Sequence, residues 1–207
     1  MKEKNYLKAS ELYAQSVKLA TDAGDKKLIE NFTKEMHKSY EKFAEQINQN
    51  GDALFKQKKY AEAAKIYENS VEIAKESNNG KLIGNFQNEF EKAIEKWAAE
   101  VNAQGDQAMK EKNFDKASDF YKQSVDIITK GGNKGKIKNY TDEYKNACLK
   151  LAKEINSQAD QLYNNKQYSQ AFELYDKSVK LAEIAGDQGK IKEFSRERNK
   201  ALEKMES

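Results

Sequence analysis

Three Asn–Asp pairs, Asn48/Asp52, Asn102/Asp106 and Asn156/Asp160, recur at one spacing in a chain of 207 residues. A separation of four residues sets both members of a pair on one face of a helix. An Asn amide offers a donor and an acceptor together, which suits the backbone of an extended peptide. An Asp carboxylate only accepts, and it favours a Lys- or Arg-containing peptide. Phe55, Met109 and Tyr163 follow the three Asp residues, and Lys56 and Lys110 come directly after the first two of those. The candidate peptide-binding set is therefore Asn48, Asp52, Phe55, Lys56, Asn102, Asp106, Met109, Lys110, Asn156, Asp160 and Tyr163. The same polar pairs also read as hydrogen-bonding elements that fix the register of neighbouring helices. The sequence leaves both readings open.

Two further polar columns repeat. Ser16, Ser70, Ser124 and Ser178 each follow a Tyr by three residues; a small residue there fits a tight helix crossing, with its hydroxyl bonded to the preceding turn. Glu35, Glu89, Glu143 and Glu197 form the other column, and Lys38, Lys92 and Lys200 stand three residues on, at ion-pair spacing. The lone His37 falls in a column with Glu91, Lys145 and Asn199, which makes it a surface residue. Cys148 shares a column with Tyr40, Ile94 and Leu202, and Trp97 one with Phe43, Leu151 and Met205. Both columns read as core, and a core thiol lacks the exposed, polarised setting of a nucleophile. No phosphate-cradling Gly loop, no Cys/His cluster and no acid–base constellation is present in the sequence. The chain reads as non-enzymatic, with no cofactor and no metal.

These side chains belong to a pattern that recurs every 54 residues without insertion. Its anchor is aromatic-x-x-Ala-x-x-x-Tyr-x-x-Ser-Val. The four instances are Tyr6-Ala9-Tyr13-Ser16-Val17, Tyr60-Ala63-Tyr67-Ser70-Val71, Phe114-Ala117-Tyr121-Ser124-Val125 and Tyr168-Ala171-Tyr175-Ser178-Val179. A fixed interval of this length marks one supersecondary unit stacked in a row. A single array over 1–207 is expected, with copies at about 1–50, 51–104, 105–158 and 159–207.

Apolar residues at i, i+3 and i+4 place short helices at about 7–22, 60–77, 114–130 and 168–185. Each ends at a Gly/Asn cluster able to close a helix: Gly24-Asp25, Asn78-Asn79-Gly80, Gly131-Gly132-Asn133 and Gly186-Asp187. A second stripe predicts long helices at about 26–58, 80–112 and 134–166, and a last one near 188–206. Gly51, Gly105 and Ala159 occupy one column inside the long helices. Ala would be strained in a Gly-specific turn, so the long helices read as continuous, with the small residue chosen for close packing. Helices of ~45 Å alternating with shorter ones would step each repeat along by ~20 Å. The expected fold is all-α, an α-solenoid of four helix-hairpin repeats with alternating short and long helices, forming an elongated superhelix or staircase.

Composition agrees. Pro is absent, charged residues make up 34% and hydrophobic residues 38%, which suits stacked amphipathic helices better than a compact globule. The net charge of +3 comes from finely mixed Lys and acidic residues, with only Arg196 and Arg198 as Arg. Nucleic-acid binders concentrate basic residues on one face and use Arg, so no nucleic-acid partner is expected. The first residues, Met1 to Lys8, hold no signal-peptide core, and no apolar run reaches membrane-spanning length. A cytoplasmic location without membrane insertion is the expectation, and a single Cys excludes an internal disulfide framework.

The stretch from Gly51 through Tyr60, Ala63, Tyr67 and Ser70 to Val71 resembles a tetratricopeptide (TPR) motif. The stretches from Gly105 and from Ala159 match it nearly as well, and Lys2–Ala20 matches its later part. Two departures stand out: the family period is about 34 residues, and Gly/Asn replaces the usual closing Pro. The family's basic clamp for chaperone tails is missing, because Asp52, Asp106 and Asp160 stand where its Asn would begin. A weaker resemblance, to MIT (microtubule interacting and trafficking) domains, runs through Phe114–Tyr121, Gly135–Ile137 and Glu143–Ala147.

The TPR resemblance implies a protein–protein interaction scaffold binding peptide segments along a repeat groove. The MIT resemblance implies a tandem adaptor for ESCRT-type tails. A self-assembling structural rod is a third expectation, because the chain starts and stops inside repeats and its terminal helices would expose apolar surface for end-to-end association.

Overall fold

The computed structural model describes residues 5–206, so the start of the Lys2–Ala20 stretch lies outside the described residues. Eight helices follow one another, and no strand occurs among the described residues. The short ones are α1 (Tyr6–Asp22), α3 (Tyr60–Lys75), α5 (Phe114–Lys130) and α7 (Tyr168–Ala185). The long ones are α2 (Lys26–Lys56), α4 (Gly80–Lys110) and α6 (Lys134–Asn164), and α8 (Gln188–Glu206) closes the set. Short and long helices alternate as the repeat requires, in an all-α, α-solenoid arrangement of helix hairpins.

Local chemistry accounts for the boundaries. Asp25 caps α2 by accepting from the Lys27 and Leu28 amides at 3.1 Å, and Asn133 caps α6 through the Lys136 amide at 3.1 Å. Gly24, Asn78, Gly132 and Gly186 take positive φ after the short helices, as their clusters predict. The long helices stop about two residues before their predicted ends. Lys58, Lys112 and Lys166 adopt φ of about +60°, and each forms the 6→1 and 5→2 bonds of a Schellman cap. At Lys112, for example, its own amide donates to Met109 O (3.2 Å) and the Asn113 amide to Ala108 O (2.9 Å). Lys carries a Cβ and gives no sequence signal for this left-handed turn, which is why the prediction overshot.

Contacts divide the chain after Trp97, inside α4, into two compact units. In the first, α2 packs on both α1 and α3, and Ala44, Val71, Ala74 and Phe86 form a buried cluster covered by Ile73, Leu82 and Ile83. In the second, α6 packs on α5 and α7, and α7 also packs on α8. Its clusters centre on Ala117, Tyr121 and Ala147, on Ala152, Val179 and Phe194, and on Ala159, Ala171, Tyr175 and Ala201. Ala at so many of these positions lets helix backbones approach closely, so modest apolar area is buried at high packing density.

Gly51 and Gly105 sit inside unbroken helices. A Cβ on Gly51 would fall 2.7 Å from the Tyr67 ring, and one on Gly105 would fall 2.8 Å from that of Tyr121. Close packing, not a turn, selects the small residue. At the third instance Ala159 carries that Cβ and is itself fully buried against α7. Two of the expected core columns thin out at one end. Trp97 is half-buried, and Leu202 and Met205 are exposed on α8, where no further helix of the described residues packs over them.

Candidate functional site

The repeated polar columns converge. In the first unit, α2 brings Asn48 against Ser70 of α3 and Glu89 of α4. Asn48 Nδ2 donates to Glu89 Oε2 at 2.7 Å, and Ser70 Oγ reaches Asn48 Oδ1 at 2.8 Å and its own helix's Tyr67 O at 2.7 Å. One turn along, Tyr67 Oη donates to Asp52 Oδ1 at 2.8 Å. The second unit holds the same relay twice. Asn102 donates to Glu143 (2.9 Å), accepts from Ser124 (3.0 Å), and Tyr121 donates to Asp106 (2.8 Å). Asn156 donates to Glu197 (2.8 Å), accepts from Ser178 (3.1 Å), and Tyr175 donates to Asp160 (2.6 Å).

Elementary donor counting fixes the orientation of each amide. An ionised Glu only accepts, so Nδ2 must face it, which leaves Oδ1 to the Ser hydroxyl. That hydroxyl has one proton, shared between Asn Oδ1 and the Tyr carbonyl three residues back. The Asn side chains are 5%, 7% and 6% exposed, and both ends of each amide are engaged. Among the described residues no buried side-chain nitrogen or oxygen lacks a partner. The Glu column therefore faces the Asn amides across a helix interface. The expected Lys partners Lys38, Lys92 and Lys200 form no ion pair with Glu35, Glu89 and Glu197 among the described residues. Sequence reasoning named both columns and the Ser column but did not join them, because their separations of 22 and 41 residues become contacts only once helix lengths are known.

Burial, and then the neighbouring Asp carboxylate, push the phenols of Tyr67, Tyr121 and Tyr175 well above the ordinary tyrosine value. They remain neutral donors at any physiological pH.

The remaining candidates lie at the edge of this relay. Asp52 and Asp160 are half-buried and Asp106 is exposed; Phe55, Met109 and Tyr163 are half-buried; Lys56 and Lys110 are exposed. Phe55 meets Tyr60 edge-on at 5.0 Å and Tyr67 at 6.4 Å, and Tyr163 meets Tyr168 at 5.3 Å. In the first unit Asp52, Phe55, Tyr67, Glu89 and Lys92 line a cleft of about 190 Å³. It has an aromatic wall, two carboxylates and one ammonium, and it is large enough for one side chain.

His37 is half-buried and lines an open depression with Glu30, Lys34 and Glu41. Cys148 is buried, and burial pushes its thiol up despite the opposing hydrogen bond from Tyr144. An inert core thiol results. Among the described residues no group of three His, Cys, Asp or Glu is placed to hold a metal ion, and no helix is long and apolar enough to cross a membrane.

No protein-family model matches the sequence, and no curated protein matches it. Among solved structures it is similar to one described as a circular tandem repeat protein with novel repeat topology and enhanced subunit contact surfaces. Identity is 15% over 97% of this chain and 46% of that one, with a TM-score of 0.20. The chain thus spans less than half the length of that protein, and nothing about partners or activity is carried over from it.

Proposed function

We propose that this helical repeat protein is a non-enzymatic, TPR-like scaffold that binds extended segments of partner proteins at the outer edge of the polar relay. In each unit the buried Asn residues form the base of such a surface, with Asp52, Phe55 and Lys56 as its contact positions in the first unit, and Asp106, Met109 and Lys110, and Asp160 and Tyr163, in the second. The observation that carries this reading is the cleft lined by Asp52, Phe55, Tyr67, Glu89 and Lys92. Each of its carboxylates has one oxygen committed to the relay, Asp52 Oδ1 to Tyr67 and Glu89 Oε2 to Asn48. The other oxygens remain to receive a cation, and the aromatic wall can stack on its alkyl stem. A Lys or Arg side chain of an extended peptide fits that chemistry.

Asp52→Asn and Glu89→Gln test the reading without dismantling the relay, since each amide keeps an oxygen to accept from Tyr67 or Asn48. Fluorescence anisotropy with labelled Lys- and Arg-containing peptides should show the double variant binding at least about tenfold more weakly, at unchanged far-UV circular dichroism. Equal affinity of the two proteins, or equal affinity for acidic peptides, would sink the proposal.

A further inference from the structure

One column of the repeat stands just ahead of the long helices and of α8: Asp25, Asn79, Asn133 and Asp187. All four do the same work. Asp25 accepts from the Leu28 amide at 3.1 Å, Asn79 from the Leu82 amide at 3.2 Å, Asn133 from the Lys136 amide at 3.1 Å and Asp187 from the Lys190 amide at 3.0 Å. The residues that follow them are Lys26, Gly80, Lys134 and Gln188. Asn79 is the one cap of the four that is an Asn followed by Gly.

Packing does not ask for that glycine. A Cβ on Gly80 would meet no heavy atom within 4 Å, and Gly80 does not take a positive φ. What it does supply is an unhindered backbone nitrogen beside a side-chain amide. Its N–H is the first of α4 and has no acceptor within the helix. Gly80 is exposed and Asn79 half-buried, and both line the open depression beside His37, where water reaches them. The Leu82 amide on Asn79 Oδ1 also polarises the Asn79 amide carbon and would steady the charge that forms on that oxygen during attack. Asn50–Gly51 is the contrasting pair. Asn50 is exposed too, but the pair lies inside unbroken α2, so the Gly51 amide is committed to a helix bond and attack must wait for local opening.

We propose that Asn79 is a self-modifying site: it deamidates through a succinimide closed by Gly80, and the products loosen the tie between the start of α4 and α2. The Gly80 nitrogen bonds to Asn79 Cγ and gives its proton to water. The Cγ–Nδ2 bond then breaks, and Nδ2 takes up a proton and leaves as ammonia. Water opens the ring between Cγ and the nitrogen to give aspartate, or at the backbone carbonyl to give isoaspartate. One water is consumed and one ammonia released overall. Both products lose the bond that Asn79 Nδ2 donates to Glu41 Oε1 at 2.8 Å, because a carboxylate only accepts. Aspartate still caps α4, as Asp25 and Asp187 cap α2 and α8, whereas isoaspartate lengthens the main chain and displaces the cap. Just beyond this tie, Leu82, Ile83 and Phe86 enter the apolar cluster with Ala44 and Val71.

The test incubates the full chain at mildly alkaline pH, folded and in urea. Tryptic peptides are followed by mass spectrometry, with fragmentation that locates the change and separates aspartate from isoaspartate. Peptides 76–81 and 43–56 report Asn79 and Asn50 separately. In urea the two pairs should react at similar rates. In the folded chain Asn79 should convert at least about tenfold faster than Asn50, because only Asn50 waits for a helix to open. Gly80→Lys gives Asn79 the follower that Asn133 has, and should slow conversion by at least about tenfold by crowding the nitrogen. Its far-UV circular dichroism should not change, since the added side chain meets open space.

The effect on α4 has its own readout. Asn79→Asp, which stands for the aspartate product, should speed amide exchange at Leu82 and Ile83 by about tenfold, as loss of a hydrogen bond to a charged group does. Equal folded rates at Asn79 and Asn50, conversion located at Asn78 instead, or a Gly80→Lys chain that converts as fast as the parent would each overturn the modification site. Unchanged exchange in Asn79→Asp would overturn its consequence for α4.

Discussion

Replacing Asn102 separates a bonded relay from an ordinary polar residue at a helix crossing. Asn102→Ala removes the charge-assisted bond to Glu143 and the neutral one from Ser124. A hydrogen bond to a charged group contributes about 1.5–3 kcal/mol and a neutral one about 0.5–1.5 kcal/mol. Two local facts pull the sum down. Ser124 keeps the Tyr121 carbonyl at 2.7 Å, so its hydroxyl is not orphaned, and Glu143 is half-buried, so water can take back part of the lost bond. A cost of about 2–3 kcal/mol is expected. Asn102→Asp keeps the shape and still accepts from Ser124, yet it sets a carboxylate where an N–H met Glu143. Two like charges about 4 Å apart repel by roughly 4 kcal/mol at an effective dielectric near 20, so this near-isosteric change should be the worse of the two at neutral pH.

Acid reverses that ranking. The facing carboxylates hold a proton more tightly in the folded chain than apart in the unfolded one, so the folded state binds more protons and stability rises as pH falls toward about 4. Urea denaturation followed by circular dichroism gives the global loss, and amide exchange in α5 and α6 locates it, since repeat arrays need not unfold in one step. If Asn102→Ala lies within about 0.5 kcal/mol of the parent, the relay contributes little and the account given for it fails. The same holds if Asn102→Asp matches Asn102→Ala at every pH.

Two further outcomes follow from the same geometry. Lys112→Gly should stabilise the chain by about 1 kcal/mol, read as a raised urea midpoint, because Gly removes the Cβ penalty at a left-handed position. Lys112→Val should lower that midpoint. At alkaline pH, the raised tyrosine values mean that the unfolded chain ionises near its ordinary value of 10 while the folded phenols stay protonated, with Tyr144 pushed up to about 12 mainly by burial. Their contribution is full below pH 10 and is lost as pH rises above it, each phenol adding about 1.4 kcal/mol per pH unit to the decline. Tyr121→Phe should flatten that slope in urea titrations across about pH 9–11, and an unchanged slope would remove the phenol from the account.

Most of the fold was legible because its signals are local. The period, the two apolar stripes and the Gly/Asn closures lie within one repeat, and they placed every helix start to within a residue or so. What escaped was of two kinds. The left-handed Lys residues obey no composition rule, and only the bonds at Lys58, Lys112 and Lys166 reveal them. The relay escaped because its partners lie on three different helices, and a one-turn error in any helix length would have paired the columns differently. Gly51, Gly105 and Ala159 were read for the right reason, close packing. Their partner, the Tyr ring, appears only when α2 and α3, or α4 and α5, are set side by side.

The relay also explains why a surface so rich in Ala has one register. Ala-lined helices slide past one another at little cost, since a shift of one turn exchanges one methyl group for another. A shift of four residues along α6 would carry Asn156 about 6 Å from Ser178 and strand the amide and the Glu197 carboxylate at once, while Ser178 keeps only its own Tyr175 carbonyl. Unpaired buried polar groups cost about 1–3 kcal/mol each, more when charged, so the slipped pairing loses several kcal/mol that the apolar contacts do not recover. Register on α3, α5 and α7 thus depends on one recurring arrangement of Asn, Ser, Glu, Tyr and Asp.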